Sequence, residues 1–238
     1  MAAAACGAGK AGAPDDLTVY AAASLTQAFT EIGHEYEQQH PGSHVDFSFG
    51  GSNTLAQQLR SGADADVFAS ADENVMHDAV SAGLVDGDPT TFTSNVLTIV
   101  TPPGNPADVT SFADLARPGV TVVVCAPQVP CGHAATEAED AADVHLTPVS
   151  EENSVTDVVG KIIAGQADAG LVYVTDAASA GDKVETIDFP ESSQAVNNYP
   201  IAILNTAADD DKSQAARNFV DLVTGEAGRT ILHGAGFR

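Results

Sequence analysis

The sequence predicts an α/β fold with two lobes, each a mainly parallel sheet flanked by helices. Short apolar strands alternate with amphipathic helices over residues 17–82 and again over residues 112–174. This alternation is typical of parallel sheets, in which helices connect successive strands. Two strongly β-forming runs, residues 95–101 and 199–204, enclose the second region. We expect these runs to cross between the lobes, with a cleft between the two halves.

In the first region, apolar residues at helical spacing predict one helix face formed by Leu25, Phe29, Ile32 and Tyr36. Pro41-Gly42 ends that helix. In chain order, the remaining elements are a strand at 45–49, a helix containing Leu55 and Leu59, and a strand at 66–70.

The second region repeats this pattern. Its predicted elements are a short helix at 112–116, a strand at 120–124, a helix beginning near Cys131, a helix with the apolar stripe Val155, Val158, Val159, Ile162 and Ile163, and a strand at 169–174. Two C-terminal helices, at 211–224 and 226–233, then complete the first lobe. We therefore assign residues 17–94 and 201–238 to lobe 1, and residues 95–200, including the crossing strands, to lobe 2.

Composition and charge exclude several classes of protein. Hydrophobic residues make up 44% and charged residues 18% of the 238 residues, as in an ordinary globular chain. No apolar run in the sequence approaches the roughly 18 residues of a membrane-spanning helix. With 9 basic and 33 acidic residues the formal charge is −24, which makes nucleic acid and anionic membrane surfaces unsuitable partners. We interpret the acidity as a solvated surface.

Two strand-to-helix turns each carry a serine, Ser24 and Ser52. Because loops gather at the carboxyl edge of parallel strands, both turns should lie on one side of the sheet. Hydroxyls and first-turn amides can hold a small oxyanion there, although a lone serine at such a turn is more often a helix N-cap. A site of donors without an acceptor suits a tetrahedral dianion better than phosphate, because phosphate often carries a proton near neutral pH.

The N-terminal segment contains Cys6, which follows the small residues Ala3-Ala4-Ala5. Small residues also precede the cleavage point of a lipoprotein signal, but only four residues separate Met1 from Cys6. We interpret residues 1–16 as a disordered tail carrying the remnant of a lipobox, with Cys6 as the candidate for lipidation. The alternative is an Ala/Gly-rich tail without that role.

The other two cysteines, Cys125 and Cys131, are six positions apart. In an exported chain, a disulfide that closes this short loop is the expected state. A metal site would need more ligands than this pair supplies, and only His133 lies nearby. We therefore predict a disulfide rather than a metal centre.

An enzyme is the main rival class. Gly50-Gly51-Ser52 at a strand-to-helix turn resembles a hydrolase nucleophile elbow, and His233 follows later in the chain. That motif requires a glycine two residues after the serine, where this chain has Thr54, so we predict no catalytic residues. A site for an amino acid would need an arginine, and a cytoplasmic regulator would need a DNA-binding segment longer than residues 1–16.

Several motifs follow one another in a specific order along residues 17–238. They are Ala21-Ala22-Ala23-Ser24-Leu25-Thr26, Ser52 with Thr54-Leu55-Ala56, Ala65-Asp66-Val67-Phe68-Ala69-Ser70-Ala71-Asp72, Val129-Pro130-Cys131-Gly132, residues 151–155, Gly170-Leu171-Val172-Tyr173 with Asp176-Ala177, and Gly234-Ala235-Gly236-Phe237. Each motif is weak alone, but the ordered set resembles the molybdate-binding proteins of ABC transporters, a family of two-lobed extracytoplasmic solute-binding proteins.

The resemblance implies a type II periplasmic-binding-protein fold and a ligand held by both lobes. From the first lobe, Ser24 and Ser52 would donate hydroxyl and amide hydrogen bonds. From the second lobe, Cys131 and Val155 would offer backbone amides and Tyr173 its hydroxyl. The chain departs from the family at Cys131, which replaces a small residue, and at Asn153-Ser154, which replaces an acidic pair.

The same resemblance implies a function. The protein would capture molybdate, and also tungstate, in the periplasm or cell envelope and deliver it, as a monomer, to an ABC permease in the membrane. We expect no cofactor, no nucleic-acid partner and no metal beyond the bound oxyanion. The alternatives are a solute-binding protein for another oxyanion such as sulfate and, more distantly, a serine hydrolase.

Overall fold

The computed structural model describes residues 16–207 and 210–238. The predictions for the N-terminal tail and for Cys6 therefore lie, apart from Asp16, outside the described residues. In the described part of the chain, the strands are β1 (Leu17–Ala22), β2 (Val45–Gly50), β3 (Val67–Ala69), β4 (Val85–Asn95), β5 (Leu97–Thr101), β6 (Val122–Cys125), β7 (Ser150–Glu152), β8 (Ala169–Tyr173), β9 (Glu185–Ile187) and β10 (Asn197–Leu204).

Helices follow most of these strands. Those described are α1 (Thr26–Gln39), α2 (Ser52–Arg60), α3 (Glu73–Ser81), α4 (Pro130–Ala142), α5 (Val155–Ile163), α6 (Val174–Ala180), α7 (Asp210–Thr224) and α8 (Glu226–Gly234), with short 3₁₀ turns that include Ala23–Leu25. The apolar stripes of the sequence form the buried faces of these helices. α1 buries Phe29, Ile32 and Tyr36 completely, and α5 buries Val155, Val158 and Ile162.

The strands form two five-stranded sheets with matching layouts, ordered β2-β1-β3-β10-β4 and β7-β6-β8-β5-β9. In each sheet the first three strands are parallel and the last two pair antiparallel with their neighbours. The sheets are therefore mixed rather than mainly parallel. The helix-connected strands are the parallel ones, as the alternation predicted, and the antiparallel pairs come from the β-rich runs.

The chain passes from the first sheet to the second at Val96, the residue between β4 and β5. It has returned by Asn197, because β10 pairs along its length with β3 and β4 of the first sheet. The sequence placed residues up to 200 in lobe 2, whereas this pairing places residues 197–200 in the first sheet. The exact lobe boundaries stay a prediction. The strand pairing favours Val96 and Val196 as the residues at which the chain passes between the lobes.

Each sheet carries its own hydrophobic core. Ala21, Phe29 and Phe219 belong to the core of the first sheet, whereas Ile99, Val158 and Leu171 belong to that of the second. Separate cores are the expected property of two lobes that can move against each other. No helix in the described residues is both long and apolar enough to cross a membrane.

Candidate functional site

A small cavity of about 10 Å³ lies between the two sheets. Its volume is close to the space that one water molecule needs. All five residues predicted from the sequence line it: Ser24, Ser52, Cys131, Val155 and Tyr173. Among the described residues, no charged side chain lines this cavity. The structure therefore brings the predicted residues together in one uncharged, nearly closed space.

The two serines do not cap their helices. Ser24 lies inside the 3₁₀ turn Ala23–Leu25, and Ser52 is the first residue of α2, whose N-cap is Gly51. Neither turn has a side-chain cap hydrogen bond. The N-cap interpretation of these serines is therefore wrong, and their hydroxyls take other partners.

Those partners hold both hydroxyls at the cavity. Ser52 Oγ accepts a hydrogen bond from the backbone amide of Ala71 at 3.0 Å. Ser24 Oγ lies 2.9 Å from Tyr199 Oη. Because Ser52 Oγ accepts its bond, its own proton is available to a ligand, whereas either hydroxyl can donate in the Ser24–Tyr199 pair.

The second lobe contributes three more helix beginnings. Cys131 lies in the first turn of α4, Val155 is the first residue of α5, and Tyr173 directly precedes α6. The first amides of a helix have no partner within the helix and carry a partial positive charge. Together with the first-lobe turns, they surround the cavity with donors from both sides.

Tyr173 has an unusual hydroxyl. The side chain is 1% exposed. Within the described residues Tyr173 Oη has no hydrogen-bond partner of ordinary geometry. Burial raises the pKa of the Tyr173 phenol well above its usual range, and the Tyr199 phenol lies close enough to raise it further, so the group stays protonated. A neutral, buried donor without a partner costs free energy until a ligand accepts its proton.

The lobes approach very closely beside this cavity. A Cβ atom built on Gly51 would lie 2.1 Å from the backbone oxygen of Asn153. Asn197 Nδ2 also joins the lobes, because it donates to Ala71 O at 3.0 Å and reaches Pro130 O at 3.4 Å. The two lobes are therefore in direct contact beside the cavity.

Three buried polar residues near the cavity were missed from the sequence. Asn95, Asn197 and Tyr199 belong to β4 and β10 and lie behind the cavity or between the lobes. Their only sequence signal was a polar residue in or beside a run predicted as a strand. Apart from the Val96 amide bonded to Asn95, the hydrogen-bond partners that place them are more than 60 positions away along the chain, so no local pattern identified them.

Cys125 and Cys131 form a disulfide with a Cα–Cα distance of 5.6 Å. The bond ties the last residue of β6 to the first turn of α4. Across the described residues, no group of three or more His, Cys, Asp or Glu side chains could hold a metal ion.

Comparison with known proteins identifies the family. The sequence model for bacterial extracellular solute-binding proteins matches residues 17–238. The chain belongs to this family. This solute-binding protein is 53% identical over 221 residues to the molybdate-binding protein ModA of Mycobacterium tuberculosis, covering 93% of this chain and 84% of the relative. Family membership confirms the predictions of a solute-binding protein and of no enzyme.

Two solved structures share the fold of this solute-binding protein. The periplasmic molybdate-binding protein of Azotobacter vinelandii has a TM-score of 0.78 at 22% identity, covering 93% of this chain and 98% of that one. The sulfate-binding protein SubI of M. tuberculosis has a TM-score of 0.75 at 23% identity, covering 94% and 86%. At these identities the likeness concerns the fold alone, and it confirms the predicted two-lobed periplasmic-binding-protein architecture.

Proposed function

We propose that this solute-binding protein captures molybdate, and also tungstate, between its lobes and delivers it to an ABC permease. The observation that carries the proposal is the Tyr173 hydroxyl, a buried donor without a hydrogen-bond partner among the described residues, in a cavity that Ser24, Ser52, Cys131 and Val155 also line. A ligand that offers only acceptor atoms could accept hydrogen bonds from all of these donors at once. The relative with 53% identity is a molybdate-binding protein, which favours molybdate among such anions.

Closure of the lobes would be part of capture. The donors of the first lobe, Ser24 and Ser52, and those of the second, Cys131, Val155 and Tyr173, line one cavity, and separation of the lobes would move the two groups apart. A ligand that contacts both lobes binds the closed form more tightly than the open one and so shifts the population toward closure. A permease that distinguishes the two forms would then receive only the loaded protein.

A thermal-shift panel with molybdate, tungstate, sulfate and phosphate tests the ligand. At 100 times its dissociation constant, a ligand stabilises the folded state by about 2.7 kcal/mol, which raises the Tm of a chain this size by about 5 to 10 °C. We expect molybdate and tungstate to give the largest shifts. A larger shift with sulfate would assign the protein to sulfate instead, and one with phosphate would contradict the donor-only site.

A Tyr173→Phe variant separates binding from folding. Because Tyr173 Oη has no hydrogen-bond partner in the described part of the chain, its removal should relieve a cost of about 1–3 kcal/mol in the ligand-free protein. Loss of a hydrogen bond to a charged ligand, about 1.5–3 kcal/mol, should raise the Kd for molybdate about 10- to 100-fold. Denaturant unfolding and calorimetric titration measure the two effects. An unchanged Kd would remove Tyr173 from the site.

We further propose that the protein acts outside the cytoplasm as a monomer anchored through lipid on Cys6. Three small residues precede Cys6, as before a lipoprotein cleavage point. An oxidising compartment also suits the disulfide of the second lobe. Mass spectrometry of the protein purified from the cell envelope should find an acylated cysteine at its N-terminus, and an unmodified Cys6 would contradict the anchor. Gel filtration should give the mass of one chain.

A further inference from the structure

The side chain of Asn197 lies between the two lobes, beside the cavity. Asn197 is the first residue of β10, where the chain has just returned to the first sheet, and it is buried. Its Nδ2 donates to Ala71 O of the first lobe at 3.0 Å and to Pro130 O of the second lobe at 3.4 Å. Carbonyl oxygens only accept, and an amide nitrogen carries two protons, so this one group can make both bonds.

Both acceptors belong to segments that form the cavity. Ala71 and Pro130 line it themselves. The Ala71 amide donates to Ser52 Oγ at 3.0 Å, and Pro130 directly precedes Cys131 in the first turn of α4. Asn197 therefore connects the segment that holds the Ser52 hydroxyl with the segment that presents the Cys131 amide.

A second asparagine also bonds across the lobes, but at a different place. Asn95 pairs with Asn197 between β4 and β10, and its Nδ2 donates to Thr175 Oγ1 of the second lobe at 2.8 Å. Thr175, however, is not part of the cavity lining. Asn197 differs because its partners in both lobes line the cavity.

The oxygen of the Asn197 amide makes this residue unfavourable for the fold alone. Asn197 Oδ1 is buried and has no hydrogen-bond partner among the described residues. A buried acceptor without a partner costs free energy, and an apolar side chain of similar shape would avoid that cost. The stability of the first lobe therefore does not account for the amide, whereas a role in joining the two halves of a binding site does.

We propose that Asn197 is a positioning residue of the oxyanion site, which holds the Cys131 amide of the second lobe opposite the Ser52 hydroxyl of the first. This inference rests on the proposed function, because it concerns the same cavity. Asn197 does not line that cavity, so it acts through Ala71 and Pro130 and not through the ligand. Separation of the lobes would break the bond to Pro130, so the bond should mainly slow the release of a bound anion.

An Asn197→Leu variant tests the proposal, because leucine has a similar size and no donor. In calorimetric titration of sodium molybdate we expect the Kd to rise about 10-fold, as for one lost hydrogen bond. A chase of labelled with unlabelled molybdate should find most of this change in a faster dissociation rate. The Tm without ligand should change by no more than about 4 °C. A damaged fold would instead lower the fraction of protein that binds, without changing the dissociation rate of the rest.

Asn198→Leu is the matched control. Asn198 is the exposed neighbour of Asn197 in β10, and its Nδ2 donates to Glu73 Oε2 at 3.3 Å within the first lobe. We expect this variant to keep the wild-type Kd and dissociation rate. Asn197→Ala, which removes the same donor without adding an apolar branch, serves if Asn197→Leu does not fold.

Two results with the Asn197 variants would overturn the inference. One is a Kd within about twofold of the wild type, which is small beside the expected change. The other is a rise in Kd that comes entirely from slower association. Failure of the wild type to bind molybdate would instead overturn the proposed function.

Discussion

A Gly51→Ala variant is expected to fold normally and to lose the ability to close on its ligand. Gly51 has φ −61° and ψ 131°, which alanine adopts without strain. Its added Cβ, however, would lie 2.1 Å from the backbone oxygen of Asn153 in the other lobe. Because real Cβ atoms do not approach backbone so closely, closure must stop short.

The Asn153 loop cannot easily retreat. Its neighbour Glu152 accepts a backbone hydrogen bond from Ala126 at 2.9 Å and pairs with Lys161 at 2.8 Å. Overpacking of this kind costs about 1–3 kcal/mol, so we expect the Kd for molybdate to rise about 10- to 100-fold. Calorimetric titration measures the Kd, and small-angle scattering with and without molybdate measures closure.

Gly160→Ala is the control for this prediction. A Cβ on Gly160 would meet no atom of the described residues within 4 Å, and Gly160 lies in α5 away from the cavity lining. We expect this variant to bind and to contract as the wild type does. If Gly51→Ala also binds within about twofold of wild type, the lobe contact at Asn153 has no part in capture, because that loss is small beside the expected 10- to 100-fold effect.

The second large effect is expected at Asp176. Replacing its carboxyl group should reduce the dependence of the free energy of unfolding on pH. Asp176 is 7% exposed, and no group of residues 16–207 or 210–238 hydrogen-bonds its Oδ2. Burial raises the pKa of Asp176 to about 7, and backbone hydrogen bonds at Tyr173 and at Asp176 itself lower it only partly. Tyr173 and Tyr199, which face the carboxyl, are neutral in this range.

The sign of the effect follows from the proton that the folded state retains. Between pH 4 and 7 the folded protein keeps a proton on Asp176 that the unfolded chain has released. The free energy of unfolding should therefore be largest at the acid end, fall as pH rises through this window and level off above about pH 7. The difference is on the order of 4 kcal/mol, at 1.36 kcal/mol for each pKa unit.

Asp176→Asn has the shape of the protonated side chain and cannot ionise, so it should lose this part of the slope and be more stable than wild type at pH 8. Denaturant unfolding at pH 5, 6, 7 and 8 measures the free energy of unfolding of the variant and of the wild type. Asp157→Asn replaces an exposed carboxylate in the first turn of α5 and should keep the wild-type slope. A slope that survives in Asp176→Asn would assign the pH dependence to other carboxylates.

Much of the fold followed from local patterns in the sequence. The stripe that begins at Val155 predicted α5 with the bounds that the structure has, because a helix face needs only residues within one segment. β4 was predicted only at its last residue, since most of its run Val85–Asn95 is polar and exposed. Pairing with β10 stabilises it, and no local pattern records a partner a hundred positions away.

The residues of the candidate site were predicted from a family resemblance and not from local patterns. Ser24, Ser52, Cys131, Val155 and Tyr173 came from an ordered resemblance, and they line one cavity. Their roles as ligand contacts remain a prediction. The buried polar residues behind the cavity could not be found in this way, because the neighbours of Tyr199 are set by how the sheets pack.

The disulfide between Cys125 and Cys131 bears on when the site is organised. It ties the loop that presents the Cys131 amide to the end of β6, and this tie lies within one lobe. Because this tie is covalent, part of the entropy of ordering the loop is lost during oxidative folding rather than on ligand binding. Under the proposed function, the segment that presents the Cys131 amide is therefore preorganised before the ligand arrives.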